Sequence, residues 1–518
     1  MTAPNPVTAA PTFRAVTDLV AQHAQVNPDA CALRLGPQVW SQAQLLAAMD
    51  RVAATLQRLG LGPGHLLALC ATTSLAYVAV FLGALRAGLS VAPLAPGSTA
   101  AQLSAMVTDA DAALVFVDAD VAAMGVPWPS GVTVVGLDGS GLALERWLAE
   151  PGARPQPVAI DPAWPFNIIY SSGTTGTPKG IVQSHAMRWA HIQRAGLSGY
   201  DESTVTMIAT PLYSNTTLVC LIPTLAFGGC AVLMPKFDAL QYLELAEQHR
   251  ATHTMLVPVQ YRRLMAHPEF DRFDLNAFRI KFSTSAPFHP ELKADILKRW
   301  PGQLTEYYGL TEGGGTCILQ AHLHPTKLHT VGQPAEGHDI RLIDEAGVEI
   351  ARVPGGASAD SGEVVGRSPG MMTGYHKQPA LTAAAQWFDA DGLRFIRTGD
   401  VGSFDDEGFL TLHDRRKDMI ISGGFNIYPS DLEAVLRPHP AVADVAVVGV
   451  PSAEWGETPV AFCVLKPDVA ASAEDLRQWA NAQVGKTQRL HALRLVAELP
   501  RSAIGKVLKR ELRDAWVG

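Results

Sequence analysis

Amphipathic segments alternate with short apolar runs through most of the 518 residues, and this alternation constrains the fold more than any other feature. Residues 41–59 show the helical half of the pattern. Ser41 can cap the segment, Leu45, Met49, Val52, Leu56 and Leu59 recur every three or four residues, and Gly60 can end it. Residues 114–117, 166–170 and 445–450 show the other half and read as buried strands between polar or glycine-bearing turns. Such alternation predicts α/β layers, and the length allows about three units of ~150 residues. Residues 217–234 are apolar enough to resemble a membrane span, but Pro223 and Gly228-Gly229 divide them. They read as a buried helix followed by a buried strand.

Composition narrows the function. Hydrophobic residues at 47% and charged residues at 17% describe a packed body rather than a disordered or coiled-coil chain. A net charge of −8 is small for this length, so no broad basic surface favours a nucleic-acid partner. Six cysteines lie scattered without a C-x-x-C pair, as expected of free thiols in a reducing, cytoplasmic setting. The first residues have no basic stretch followed by an apolar one, so neither a secretory signal nor a membrane span is expected.

The chemistry begins at residues 170–180, YSSGTTGTPKG, which follow an apolar strand. Hydroxyls of Ser171, Ser172, Thr174 and Thr175 stand among Gly173, Gly176 and Gly180, where the backbone can approach an anion closely and offer N–H and O–H donors. Lys179 adds a point charge. This is not a Walker A loop, because Gly180 follows the lysine where that loop needs Ser or Thr.

These eleven residues resemble the core motif of the adenylate-forming superfamily, which includes acyl-CoA synthetases, aryl-CoA ligases, adenylation domains and firefly-type luciferases. Four further matches follow in the family's order. Ser283-Thr284-Ser285-Ala286-Pro287 resembles the turn that lies along adenine. Tyr307-Tyr308-Gly309-Leu310-Thr311-Glu312 resembles a motif whose aromatic ring (Tyr308) stacks near adenine, whose threonine (Thr311) meets the α-phosphate and whose glutamate (Glu312) holds Mg²⁺. Thr398-Gly399-Asp400 and Arg415 resemble the ribose contacts. Residues 499–506 end in the position of the catalytic lysine, Lys506.

The resemblance implies a large N-terminal domain, residues 1–414, of layered sheets and helices that binds ATP and a carboxylate. A small, mobile C-terminal α/β domain, residues 415–518, would follow, turning about Lys417. It further implies an acid:CoA ligase that forms an acyl-AMP and passes the acyl group to coenzyme A. Gly423 and Gly424 would line the thiol tunnel, while Trp455 would either meet the coenzyme or anchor a core. Tyr213, Ser214 and Asn215 would line the acyl pocket with Gly309 and Gly314. The glycines at 313–315 suggest room for a bulky acyl group, and Ser214 stands where relatives often carry histidine. A stand-alone adenylation enzyme that loads an acyl carrier protein is the alternative acceptor reading. A catalytically silent nucleotide-binding regulator is the alternative from another class, and the resemblance admits a homodimer.

Overall fold

The computed structural model describes residues 12–139, 142–171, 179–351, 361–415, 418–422, 425–452, 455–467, 469–484, 488–502 and 505–516. The helix expected at residues 41–59 is Gln42–Arg58. The Ser41 hydroxyl accepts from the Gln44 N–H, and the Gln44 side chain accepts from the Ser41 N–H, a reciprocal cap. Leu45, Met49, Val52 and Leu56 form its buried stripe, whereas Leu59 lies outside it at the exposed C-terminal end. The apolar stretch at 217–234 splits as its proline and glycines require. Helix Asn215–Ala226 contains Pro223, Gly228 turns the chain at φ +79°, and the fully buried strand Cys230–Leu233 follows; most of the helix is buried as well. Among the described residues, no helix is long and apolar enough to cross a membrane. All six cysteines are free, and all but Cys31 are buried.

Two sheets dominate the large N-terminal body. In the nine-stranded sheet a parallel centre runs in the order Gln303–Gly309, Ile280–Ser283, His253–Leu256, Val205–Ile208, Cys230–Leu233, Cys31–Leu35. In the eight-stranded sheet, strands Ser90–Pro93, Leu66–Cys70, Leu114–Val117 and Thr133–Gly136 are parallel to Pro165–Ser171, which turns back antiparallel into Lys179–Ser184. Helices cover both faces of such strands, which is why runs like Leu-Val-Phe-Val and Cys-Ala-Val-Leu are apolar throughout. One apolar core joins the sheets, with Leu33 and Phe282 from one, Leu69 and Phe166 from the other, and Val52, Phe81 and Leu221 from helices between them.

A third, antiparallel sheet of five strands includes Gly362–Arg367 and Arg394–Phe404. From Ile420 onward a small C-terminal α/β body has its own five-stranded sheet, with Val442–Ser452 paired along Gly456–Leu465, and its own apolar cluster around Ile420, Leu432, Val447 and Leu476.

Candidate active site

Parallel strands deliver their carboxyl ends to one edge, and the loops leaving that edge are where such sheets build sites. Strand Val205–Ile208 leads to Tyr213, Ser214 and Asn215, Ile280–Ser283 to Ser285, Ala286 and Pro287, and Gln303–Gly309 to Thr311 and Glu312. Among these residues, Ser214, Ser285, Thr311 and Glu312 are held by specific contacts. Ser285 has φ +80°, a left-handed conformation that costs a non-glycine residue roughly 1–3 kcal/mol and clusters at functional sites. Its hydroxyl shares a hydrogen bond of 2.7 Å with that of Thr216. Ser214 caps helix Asn215–Ala226, accepting from the Thr216 N–H, so its hydroxyl already has a structural partner.

On one side of the edge, the Tyr308 hydroxyl donates to Asp400 Oδ2 at 2.9 Å, joining residues 92 positions apart. The Asp400 N–H donates to Thr398 Oγ1, whose own proton goes to the Val364 carbonyl. Asp400 pairs in register with Arg415. Burial, followed by the Asp400 charge, pushes the Tyr308 phenol well above its usual range, so Tyr308 stays a donor.

On the other side, Lys179 opens the strand Lys179–Ser184 and pairs in register with Ser171. Its Nζ lies 5.8 Å from the centre of the Tyr375 ring, and the Tyr375 hydroxyl donates to Glu312 Oε1 at 2.9 Å. Met372 N–H donates to the Glu312 carbonyl. Tyr375 is thus a site residue that local sequence does not mark. It reaches Glu312 only because Gly374–Tyr375 pairs with Lys179–Ser184. The Thr311 carbonyl accepts from Gln183 Nε2 at 2.7 Å, and Gln183 belongs to a fully buried network with Asn167 and Arg188.

The C-terminal body sends a loop to the same edge. A Cβ built on Gly505 would lie 2.5 Å from Val259 Cγ1, so the backbone beside Lys506 rests directly on the start of helix Pro258–Met265, which follows strand His253–Leu256. Asp444 lies 3.7 Å from Arg262 of that helix and also pairs with Arg501. Ser172, Gly173, Thr174, Thr175, Gly176, Lys417, Gly423 and Gly424 lie outside the described residues, as do the side chains of Ser171 and Arg415.

With this geometry in place, known proteins supply the affiliation. Residues 20–376 match the family described as AMP-binding enzyme, and residues 431–506 match the AMP-binding enzyme C-terminal domain. The chain belongs to the AMP-binding enzyme family. It is 30% identical to indoleacetate-CoA ligase of Aromatoleum aromaticum, over 96% of this chain and 98% of that protein. It is 29% identical to the fatty acid-[acyl-carrier-protein] ligase ScoC of Streptomyces coeruleorubidus, over 98% of each. Among solved structures, ATP-bound MatB from Rhodopseudomonas palustris superposes with a TM-score of 0.85 at 29% identity, covering 96% of this chain and 98% of that one.

Two readings of this AMP-binding enzyme's sequence need correction. The glycines at 313–315 do not open space, because the directions their side chains would take are filled. A Cβ would lie 1.9 Å from the Gly370 carbonyl at Gly313, 2.4 Å from Ile396 at Gly314 and 2.2 Å from Ile340 at Gly315. These glycines let the segment press against the third sheet, so they carry no argument for a bulky acyl group. Gly309 is similarly closed off, by the Gly315 carbonyl at 3.1 Å. Trp455 is 51% exposed, which removes the core-anchor reading and leaves the indole facing solvent.

Proposed function

We propose that this AMP-binding enzyme is an ATP-dependent acid:coenzyme A ligase. It converts a carboxylate and ATP to an acyl-AMP and pyrophosphate, then transfers the acyl group to the thiol of coenzyme A, releasing AMP. The observation that carries this is the gathering at one edge of Tyr308 with Asp400, Lys179 with Tyr375 and Glu312, Thr311, and the loop bearing Lys506.

In-line attack of a carboxylate oxygen on the α-phosphorus crowds negative charge, so the protein contributes position and electrostatic relief. Lys506 neutralises the incoming carboxylate and the bridging oxygen, and Thr311 holds the α-phosphate. Lys179, with Ser171, Ser172, Thr174 and Thr175, holds the leaving phosphates. Tyr308 and the backbone at Ser285, Ala286 and Pro287 hold adenine, while Asp400 and Arg415 hold the ribose. Glu312 is a hard oxygen donor at the end of a hydrogen bond from Tyr375, and one carboxylate beside phosphates suits Mg²⁺, which when bound neutralises the phosphate oxygens. Tyr213, Ser214 and Asn215 lie at the acyl end.

The second step requires the lysine to leave and a thiol to enter. A C-terminal domain from residue 415, turning about Lys417, accomplishes this, with Gly423, Gly424 and the exposed Trp455 toward the coenzyme. Carboxylate-dependent release of pyrophosphate, followed by discharge of acyl-AMP onto coenzyme A, tests the reading. Discharge onto a carrier protein alone would instead favour the activity named for ScoC, and no pyrophosphate with any acid would sink both.

A further inference from the structure

Helix His185–Gly196 carries Arg188, His191 and Arg194 at three-residue spacing, along one broad face. That face meets the same edge. The Arg194 guanidinium lies 5.3 Å from the centre of the Tyr307 ring. Met187 Cε approaches the Cβ position of Gly313 to 2.8 Å, and His191 Nε2 approaches that of Gly370 to 3.9 Å. His338 joins from across strand Thr316–Gln320, where the Thr316 N–H donates to its Nδ1 at 2.9 Å and so leaves Nε2 carrying the proton.

These four basic groups have no acidic counterpart. Among the described residues no ion pair includes any of them, and His191 is held well below its usual range by burial first and then by Arg188, Arg194 and His338, with no acid among the groups that act on it. Arg188 is 2% exposed with Nη1 unpartnered, and His191 Nδ1 is unpartnered as well. Burial draws the Arg188 guanidinium down to about 9, and burial with Arg194 draws His338 down to about 4. Both histidines are therefore neutral, and the charge is carried by the guanidiniums of buried Arg188 and partly buried Arg194, which without a carboxylate is expensive in an isolated protein. His191, Arg194 and His338 are only half-buried, so part of this basic recess stays exposed.

The position of the recess says which solute. Tyr307 and Tyr308 are neighbours on one strand, so their rings point to opposite faces of the sheet, Tyr308 toward Asp400 and Tyr307 toward Arg194. Gln183 links Arg188 to the Thr311 carbonyl, beside which the reacting carboxylate meets the α-phosphate in the function proposed above.

We propose that this recess receives a second carboxylate of the acyl substrate, so that the chain activates dicarboxylic acids, with Arg194 as the main recognition residue. Arginine suits the task, since its planar fork pairs bidentately with a carboxylate. The proposal rests on the ligase reading.

Paired acids of similar length test it on the full chain: adipate against hexanoate, and terephthalate against benzoate, with pyrophosphate release as the measure. The diacid of at least one pair is expected to show kcat/KM ten-fold or more above its partner. Arg194→Gln should lower the diacid-to-monoacid ratio on the order of 100-fold, with partial recovery in Arg194→Lys, because only the charge-bearing side chain restores the attraction. Equal kcat/KM within both pairs, or an Arg194→Gln loss shared equally by both members, overturns the proposal. Binding provides a readout independent of turnover. A diacid, and not its monoacid, should raise the thermal midpoint of the native chain but not of Arg194→Gln, and no rise with either diacid counts against the recess even if the ligase reading fails.

Discussion

Tyr375 does two things at once: its ring lies under Lys179, and its hydroxyl holds Glu312. Tyr375→Phe separates them, keeping the ring and removing the bond. A hydrogen bond to a charged group contributes about 1.5–3 kcal/mol, so pyrophosphate release should fall roughly 10–100-fold, with more Mg²⁺ needed for half-maximal rate. An unchanged Mg²⁺ dependence would separate Tyr375 from the metal. At this scale the sequence marks candidates wherever a residue sits inside a contiguous motif, as Thr311, Glu312 and Asp400 do. It was silent wherever the partner lay far along the chain. Tyr375 is 63 residues beyond Glu312, and nothing in the residues around it announces the long-range pairing with strand Lys179–Ser184 that positions it. The cationic recess shows the same limit, since helical spacing aligns Arg188, His191 and Arg194 but only the fold leaves them without an acid.

Elements meet most closely where the third sheet presses on the glycines at 313–315. A Cβ on Gly366 would lie 1.6 Å from the Gly314 carbonyl, a backbone atom with no rotamer to give. Gly366→Ala should therefore destabilise the protein by about 3 kcal/mol or more, and displace the Thr311–Glu312 segment enough to raise KM for ATP. Gly97→Ala, where a Cβ would meet nothing within 4 Å, serves as the control, and chemical denaturation of the two variants makes the comparison. Equal stabilities would mean that the contact relaxes freely. Local patterns explain why helix Gln42–Arg58 and the split of residues 217–234 could be anticipated, since caps, periodicity, Pro223 and Gly228 all act within a few residues. The glycines at 313–315 were misread because a missing side chain looks the same in sequence whether it leaves room or admits a neighbour.

Across the whole molecule, buried histidines tie stability to pH. His253 is fully buried, with Nε2 3.2 Å from the Ser198 carbonyl and Nδ1 2.8 Å from the Thr252 hydroxyl, and burial lowers it to about 4. Burial does the same to His185. An unfolded histidine titrates near ~6.5, so between that pH and about 4 the unfolded chain binds protons that the folded one refuses. Stability should accordingly be full above pH ~6.5 and decline as pH falls, by roughly 2 kcal/mol per ring at pH ~5. Denaturation at the two pH values checks this, with His253→Gln expected to flatten the slope. A second molecular prediction concerns the division of labour. Lys506→Ala should lose acyl-AMP formation by about 10²–10³-fold while thiolysis of supplied acyl-AMP persists, whereas Lys417→Pro, which fixes φ, should spare the first step and stop the second. Half-reaction assays on both variants decide, and parallel losses would dissolve the two-step assignment.

Gly505 bears on the tempo of that cycle. Its backbone rests on Val259 with no side chain between, so little apolar area is surrendered when the loop departs. A contact of that kind favours frequent exchange over tight seating. In the proposed cycle the dwell of Lys506 beside the phosphates would then depend on the bulk allowed at position 505, and a methyl group added there would shorten each visit.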